Sequence, residues 1–491
     1  RSERTLCRLY CVRLRTIHHL DGTDMIVFGT DGWRGVIARE YTFDNLARVA
    51  LAVASYARKV SSEPRVVIGY DTRFLSHEFA EETARILAAR QVTVWLSDRV
   101  ATTPQVSLAT KLRRATLGIV ITASHNPPKY NGFKLKGNYG GPATVEIVAG
   151  VERELRRIEA VPLRLPRMYS LEHYQSEGTI RMFNPMDAYR RAVSSKIALD
   201  RIGAAGLRIL FDPMYGAGMG ILSEFITCDA IHSEPNPGFG EIDHPEPIAE
   251  CLGPAIAKMQ QCDYDICIAT DGDADRVGLL DAKGNFVDAH RIFMLLLVYL
   301  YEDKRKRGIV AKTVSLTSMV DLFCQQKRIK LIETPVGFKH TAKLMLTHRV
   351  LIGGEESGGL GTILHIPERD GIFNALLVLE MMATRSRTLA ELVAELDERF
   401  GPHRYRRRDV PVTEKQKQRI LRACAMMPND IAGHPVERVV STDGYKFIFT
   451  DGSWLLIRAS GTEPLVRFYA EAPTQHQADM LVEAGIALAL G

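Results

Sequence analysis

The chain has 491 residues, 46% of them hydrophobic and 25% charged, with a formal net charge of +5; this is more chain than one hydrophobic core can organise, so three or four domains are expected. So small a charge, with no long basic stripe, argues against a nucleic acid or an anionic membrane as partner. Eight cysteines without a Cys-x-x-Cys pair suggest neither a zinc site nor a disulfide framework, and fit a reducing, cytoplasmic compartment.

Residues 1–24 stand apart from the rest of the chain. They hold five arginines against three acids without an apolar period, and Met25 is followed at once by Ile-Val-Phe-Gly-Thr-Asp-Gly-Trp-Arg-Gly. They lack the apolar core of about 7–15 residues that a secretory signal needs. We read them as an extension outside the fold, from a misassigned start or a translated upstream region.

From Phe43 the pattern alternates. Apolar residues at helical spacing run from Phe43 to Val60, and Arg65–Tyr70 is a β-branched strand. Ser76 to Gln91 is helical with Ser76 as its N-cap, and Thr93–Leu96 and Leu117–Thr122 are further strands. Strands alternating with helices predict a mostly parallel sheet covered by helices, over residues 25–165. Pro162 to Asn184 reads as a polar connection. A second α/β unit, 185–284, has strands at Leu207–Phe211 and Tyr264–Ala269. A third, 285–399, has a helix over the apolar run Ile292–Tyr301 and strands at Gly308–Ala311 and Arg349–Ile352. That run is far short of the roughly 20 residues that cross a bilayer. It ends in Asp303-Lys-Arg-Lys-Arg307 and Gly308, a helix stop. A basic stretch, Gly401-Pro-His-Arg-Tyr-Arg-Arg-Arg408, reads as a solvated linker. The last unit, 408–491, has short strands at Tyr445–Phe449, Trp454–Arg458 and Val466–Ala470 before a helix from Gln475 to Leu490. It is expected to be a small α+β domain.

Four loops carry chemistry. In Ile121-Thr-Ala-Ser-His-Asn-Pro-Pro-Lys-Tyr-Asn-Gly-Phe-Lys134 a hydrophobic strand delivers Ser124 to a turn where two prolines prevent a helix. In Ala269-Thr-Asp-Gly-Asp-Ala-Asp-Arg276 three alternating carboxylates, Asp271, Asp273 and Asp275, follow an apolar strand. Such carboxylates repel one another unless a hard cation neutralises them, and oxygen ligands favour magnesium or calcium over zinc. Glycines flank Glu355 and Ser357 in Ile352-Gly-Gly-Glu-Glu-Ser-Gly-Gly359 and let backbone approach a ligand. In Ile457-Arg-Ala-Ser-Gly-Thr-Glu-Pro464, Arg458 offers a fork suited to phosphate, with Ser460, Gly461 and Thr462 beside it.

In this order and spacing the four loops resemble the α-D-phosphohexomutase superfamily, which includes phosphoglucomutases and phosphomannomutases; the resemblance runs from about Met25 to the C-terminus. It implies three α/β/α domains and a smaller C-terminal α+β domain, with mixed, mostly parallel sheets in the first three and the active site in a central cleft. It further implies that Ser124 carries the phosphoryl group as phosphoserine, and that Asp271, Asp273 and Asp275 hold Mg2+ together with a phosphoserine oxygen. Glu355 and Ser357 would hold the hexose, and Arg458, Ser460, Gly461 and Thr462 the non-reacting phosphate. Asp-Gly-Trp-Arg34 and Gly337-Phe-Lys339 resemble positions lining the cleft. Arg276, Lys134 and Lys339 would offset the phosphoryl charge, and Lys134 and His125 are the candidates for moving the proton. The expected partners are hexose phosphates, with a hexose 1,6-bisphosphate as intermediate and activator.

For the sugar, Gly354-Glu-Glu-Ser-Gly-Gly359 differs from the Gly-Glu-Met-Ser-Gly-His of members that use mannose and glucose alike. It resembles glucose-preferring phosphoglucomutases more, while glutamate at Glu356 departs from the glutamine of phosphoglucosamine mutases. A phosphomannomutase or dual-specificity mutase is the alternative. Two rivals of other classes are a metal-dependent phosphatase and a non-catalytic sugar-phosphate-binding protein; presence of both the serine and all three aspartates speaks against the second.

Overall fold

The computed structural model describes residues 26–29, 31–460 and 465–490; the expectation for residues 1–24 lies outside them. Four sheets organise the chain. The first joins β1 (Trp33–Val36), β2 (Arg65–Tyr70), β3 (Thr93–Ser97), β4 (Leu117–Ile121), β5 (Tyr130–Gly137), β6 (Gly141–Pro142) and β7 (Ile180–Phe183) in the order β1-β5-β4-β2-β3-β7, with β6 on β5. Strands β4, β2, β3 and β7 run parallel, whereas β5 returns antiparallel to β4. Helices α1 (Phe43–Val60), α2 (Ser76–Ala89), α3 (Thr103–Leu112), α4 (Val145–Glu159) and α5 (Leu171–Ser176) complete this unit.

The second sheet has β8 (Ile209–Asp212), β9 (Asp229–Ala230), β10 (Ile266–Thr270), β11 (Val277–Asp281) and β12 (Phe286–Val287), ordered β12-β11-β10-β8-β9. The third has β13 (Ile309–Thr313), β14 (Leu331–Thr334), β15 (Val350–Gly354) and β16 (Leu360–Thr362), ordered β14-β13-β15-β16. The fourth is wholly antiparallel: β17 (Arg404–Pro411), β18 (Asp430–Ile431), β19 (His434–Val440), β20 (Tyr445–Phe449), β21 (Trp454–Ala459) and β22 (Leu465–Ala472), ordered β17-β22-β21-β20-β19-β18. This is the expected α/β fold of three mixed-sheet units and a smaller α+β unit. Among the described residues no helix is long and apolar enough to cross a membrane.

The structure departs from the sequence reading in four places. The segment read as a polar connection contains α5 and β7, and β7 extends the first sheet beside β3. Its four residues alternate buried ends with an exposed middle, too short a run for periodicity to reveal. The basic stretch after Phe400 is strand β17, paired with β22 along eight residues. Its arginines sit on a sheet edge, where charge discourages pairing with other chains. Ser76 is the first residue of α2 and not its cap; Leu75 takes the cap position at φ 60°, and Ser76 Oγ donates to Asp71. The helix over Ile292 ends in a π turn, Tyr299–Asp303, and Arg305, not Gly308, takes the left-handed conformation after it.

Hydrophobic packing binds the units together. One cluster runs through the second and third units and reaches Leu108 of α3. The fourth unit has its own core and meets the third through Trp454, Leu456 and Tyr469 against Val314. At that joint buried Glu471 accepts from Ser318 N–H at 3.0 Å and Trp454 Nε1–H at 3.1 Å, and faces His403 at 3.0 Å.

Candidate active site

One local arrangement recurs in the first three units. A central strand in parallel pairing (β4, β10 or β15) ends in a loop, and the chain returns antiparallel as β5, β11 or β16. The loops so presented are those of Ser124, of the three aspartates and of Glu355. Open α/β sheets present ligand sites at the carboxyl ends of their strands.

Ser124 is buried, and its backbone is left-handed at φ 53°. Its hydroxyl donates to Asp271 Oδ2 at 2.7 Å and lies 3.4 Å from His125 Nδ1. Arg34 donates to Asn126 Oδ1 at 2.5 Å, which sets its guanidinium beside the same turn. The loop of the three aspartates touches the serine loop directly: a Cβ on Gly272 would come within 2.3 Å of the Ser124 carbonyl oxygen, so only glycine fits there.

Asp271, Asp273 and Asp275 are fully buried, and one oxygen of each lies within 4.8 Å of the others. Lys134, from β5, neutralises part of their charge. Its ammonium donates to Asp273 Oδ2 at 2.7 Å and Asp275 Oδ2 at 3.1 Å and pairs with Asp31 at 2.9 Å. Asp273 Oδ2 also accepts from Thr103 Oγ1 at 2.5 Å, and Asp275 Oδ2 from Arg369 at 2.6 Å. The other oxygens, Asp273 Oδ1 and Asp275 Oδ1, are buried without a hydrogen-bond partner. A buried carboxylate oxygen left unpaired is costly. Two of them, in an oxygen-only donor set beside Asp271, fit a divalent cation such as Mg2+.

The electrostatics follow from this crowding. Burial, then Asp275 and Asp273, push the Asp271 carboxyl well above its ordinary range. Burial would raise Asp31 too, but Lys134, Lys136 and Arg369 together hold it well below. Burial opposes charge on Lys134, yet Asp273, Asp275 and Asp31 outweigh it and keep the ammonium charged. His125 is driven the other way, first by burial and then by Arg276, Arg34, Lys134 and Arg73, so its imidazole stays neutral.

Arg276 pairs with Glu246 at 2.8 Å, and its N–H donates to Asp271 at 3.0 Å. Glu355 is buried against Arg369 at 3.3 Å, and burial raises its carboxyl pKa. Since Arg369 also bonds Asp275 and Asp31, one guanidinium joins the third loop, the loop of the three aspartates and the chain's opening segment. Glu356 turns aside: its carboxylate accepts from Ser315 Oγ at 2.5 Å. Ser357 is half-buried in the same loop. Lys339 lies in the first turn of the helix Phe338–Thr347. Beside that helix Asp443 accepts both Val336 N–H at 3.0 Å and Arg458 Nε–H at 2.7 Å. Buried Ser460 gives its carbonyl to Lys417 at 2.6 Å. Gly461 and Thr462 lie outside the described residues.

Asp31 belongs to the Asp-Gly-Trp-Arg34 opening expected to line the cleft, but sequence reasoning missed Arg73, Thr103, Glu246 and Arg369. Arg73 is the most consequential. Fully buried at its side chain, it pairs with Asp71 and donates to the carbonyls of Ser124, Asn126, Pro127 and Tyr130 at 2.6–3.0 Å. Its signal was Asp71-Thr72-Arg73 directly after an apolar strand; that of Arg369 was Glu368-Arg369-Asp370 directly before an apolar helix. Replacing Arg73 by methionine should cost about 3–5 kcal/mol, since Asp71 stays buried without its cation and four carbonyls lose their donor. Chemical denaturation reads this as a lower midpoint, and activity falls with it as the Ser124 turn loosens.

Models of the phosphoglucomutase/phosphomannomutase family match four stretches: α/β/α domain I at residues 25–161, domain II at 187–284, domain III at 288–400 and the C-terminal domain at 409–487. A Pyrococcus abyssi protein, named a probable phosphoglucosamine mutase, is 33% identical over 93% of this chain and 96% of its own. A phosphoglucomutase/phosphomannomutase of Thermococcus kodakarensis is 28% identical over 94% of this chain and 98% of its own. Among solved structures, a Thermus thermophilus protein assigned as a phosphomannomutase superposes with a TM-score of 0.83 at 33% identity, covering 95% of this chain and 99% of that one.

Proposed function

The chain belongs to the phosphoglucomutase/phosphomannomutase family of α-D-phosphohexomutases and is an enzyme of that mutase type, and from that premise we propose that it interconverts glucose 1-phosphate and glucose 6-phosphate through phosphorylated Ser124. One observation carries the reading: the Ser124 hydroxyl lies 2.7 Å from Asp271, within a buried three-carboxylate cluster that has two unpaired oxygens. A weak nucleophile set beside a cation site is what phosphoryl transfer needs and what a core serine does not.

In this reading the phosphoryl group moves from Ser124 Oγ to the free hydroxyl of the hexose phosphate. The serine P–O bond breaks as the sugar O–P bond forms, giving the 1,6-bisphosphate. Geometry favours neutral His125 over Lys134 as acceptor of the hydroxyl proton, because three carboxylates already hold the Lys134 ammonium. Asp271, Asp273 and Asp275 would hold Mg2+, which when bound supplies charge stabilisation to the transferring group. Arg34 and Arg276 add fixed positive charge around it. Glu355 and Ser357 would orient the sugar. Arg458, Ser460, Gly461 and Thr462 would bind the distal phosphate, and accept the other phosphate once the bisphosphate has turned around. The second transfer then returns a phosphoryl group to Ser124 as the other sugar O–P bond breaks, and the proton taken in the first step goes to the sugar oxygen so freed.

The glucose preference is supported by the sequence of the sugar loop, whose double glutamate resembles glucose-preferring phosphoglucomutases; of the two, Glu355 is left to meet the sugar, since Glu356 is bonded to Ser315. A second reading, glucosamine phosphate, is favoured by relatives named as probable phosphoglucosamine mutases, 33% and 31% identical to this chain. A coupled assay with Mg2+ and a trace of glucose 1,6-bisphosphate separates them. We expect kcat/KM for glucose 1-phosphate to exceed that for mannose 1-phosphate and glucosamine 1-phosphate about tenfold, the scale of one net hydrogen bond of about 1.4 kcal/mol. A reversed order would move the assignment to whichever sugar leads.

A further inference from the structure

The first unit gathers a second set of cations at the end of its sheet opposite Ser124. Parallel β2 and β3 begin side by side at Arg65 and Thr93, and β7 places Arg181 beside Trp95. Helix α3 starts against the loop of the three aspartates, where Thr103 N–H donates to the Asp273 carbonyl at 3.0 Å, and ends at its C-cap, Arg113. Arg65, Arg113, Arg181, Thr93 and Trp95 line a cavity of about 420 Å³, within the range of small-molecule sites. Glu63 is the one carboxylate among its described lining residues; it is largely exposed and pairs with Arg65 at 2.7 Å.

The other two arginines are held by rings rather than by acids. The Arg113 guanidinium lies over the Phe183 ring at 4.4 Å, and its Nε is buried without an acceptor. Burial lowers its pKa, and no neighbouring acid offsets the effect. Arg181 stacks over Trp95 at 5.5 Å and spends its Nε–H on the Gly178 carbonyl at 3.1 Å. Both guanidinium groups therefore lie against an aromatic ring. A positioned guanidinium loses less entropy on binding and matches two phosphate oxygens at once. Three arginines against one carboxylate leave the cavity with an excess of positive charge.

We propose that this cavity binds the phosphoryl group of a small phosphorylated metabolite, at a site separate from the catalytic one. The two lie at opposite ends of the parallel strands of the first sheet: Arg65 of the cavity opens β2, whereas the Ser124 turn follows the carboxyl end of its neighbour β4. The proposal is independent of which hexose the enzyme transforms.

Calorimetric titration with inorganic pyrophosphate tests it, using the full chain in chelator so that no metal–pyrophosphate complex forms. Wild type and Arg458→Ala should both show a binding event that weakens about tenfold or more in Arg181→Glu and in Arg113→Gln. Arg181 is exposed on an edge strand, so Arg181→Glu should keep the wild-type melting temperature and mutase kcat, separating lost binding from lost fold. A repeat with adenosine diphosphate identifies the source of the phosphoryl group: tighter binding than pyrophosphate assigns the Trp95 wall to an organic moiety, and equal binding assigns the site to the phosphate alone. Either result supports the site. Identical titrations of wild type, Arg181→Glu and Arg113→Gln would overturn it.

Discussion

Ser124→Ala should lose mutase turnover by on the order of 10⁴-fold or more while the protein remains folded. Loss of a nucleophile removes the covalent route altogether, and losses of this size are typical of such groups. The fold should survive because, among the described residues, Ser124 bonds through its side chain only to Asp271 and His125, while the turn is held through backbone carbonyls by Arg73. Alanine lacks the hydroxyl but tolerates the φ of 53° only at the cost any side chain pays there, which serine already pays. The test is a mutase assay beside a thermal melt, with release of inorganic phosphate followed in parallel. Full activity in the variant would sink the phosphoserine route. Retained phosphate release would instead favour attack by an aspartate or by water.

Asp273→Asn should reduce activity by about 10³-fold and raise the Mg2+ concentration needed for half-maximal rate at least tenfold. The substitution keeps the side chain's shape but removes a negative charge from a site that Lys134, Arg369 and Arg276 already surround with positive charge. It also turns one of the two unpaired ligand oxygens into part of a neutral amide. Metal binding measured by calorimetry on chelator-treated protein supplies a readout independent of turnover. A wild-type Mg2+ titration in this variant would remove Asp273 from the ligand set.

Much of this site was legible in the sequence because its chemistry is local. Asp271, Asp273 and Asp275 alternate within five residues of one loop, and Ser124 to Lys134 spans one turn and its return strand. The partners that complete it are distant: Arg369 reaches Asp31 across 338 positions, and Thr103 reaches Asp273 across 170. No spacing rule connects such pairs; only the packing of one unit on another does. Similarly, strands with a full apolar period, such as Arg65–Tyr70, were readable. The edge strands β7 and β17 were not, because half-exposed or arginine-rich edges carry no periodic apolar signal. Glu356 shows a different limit. Its identity was read as a mark of the sugar preferred, whereas its carboxylate accepts from Ser315, just beyond β13.

Gly272 packs against the Ser124 carbonyl, and α3 rests its first turn on Asp273, so Ser124 and the three carboxylates belong to different units pressed backbone to backbone. The reactive distance is then a property of a joint rather than of either unit. Mutations that slacken this joint, far from any reacting atom, would register as losses of catalytic rate in a protein whose separate cores remain intact. Over evolutionary time such a seam constrains both sides together: a residue gaining bulk on one face must be answered by the other. The chemistry of this enzyme is therefore inherited as a fit between units, and neither could be exchanged for a homologous piece without retuning its neighbour.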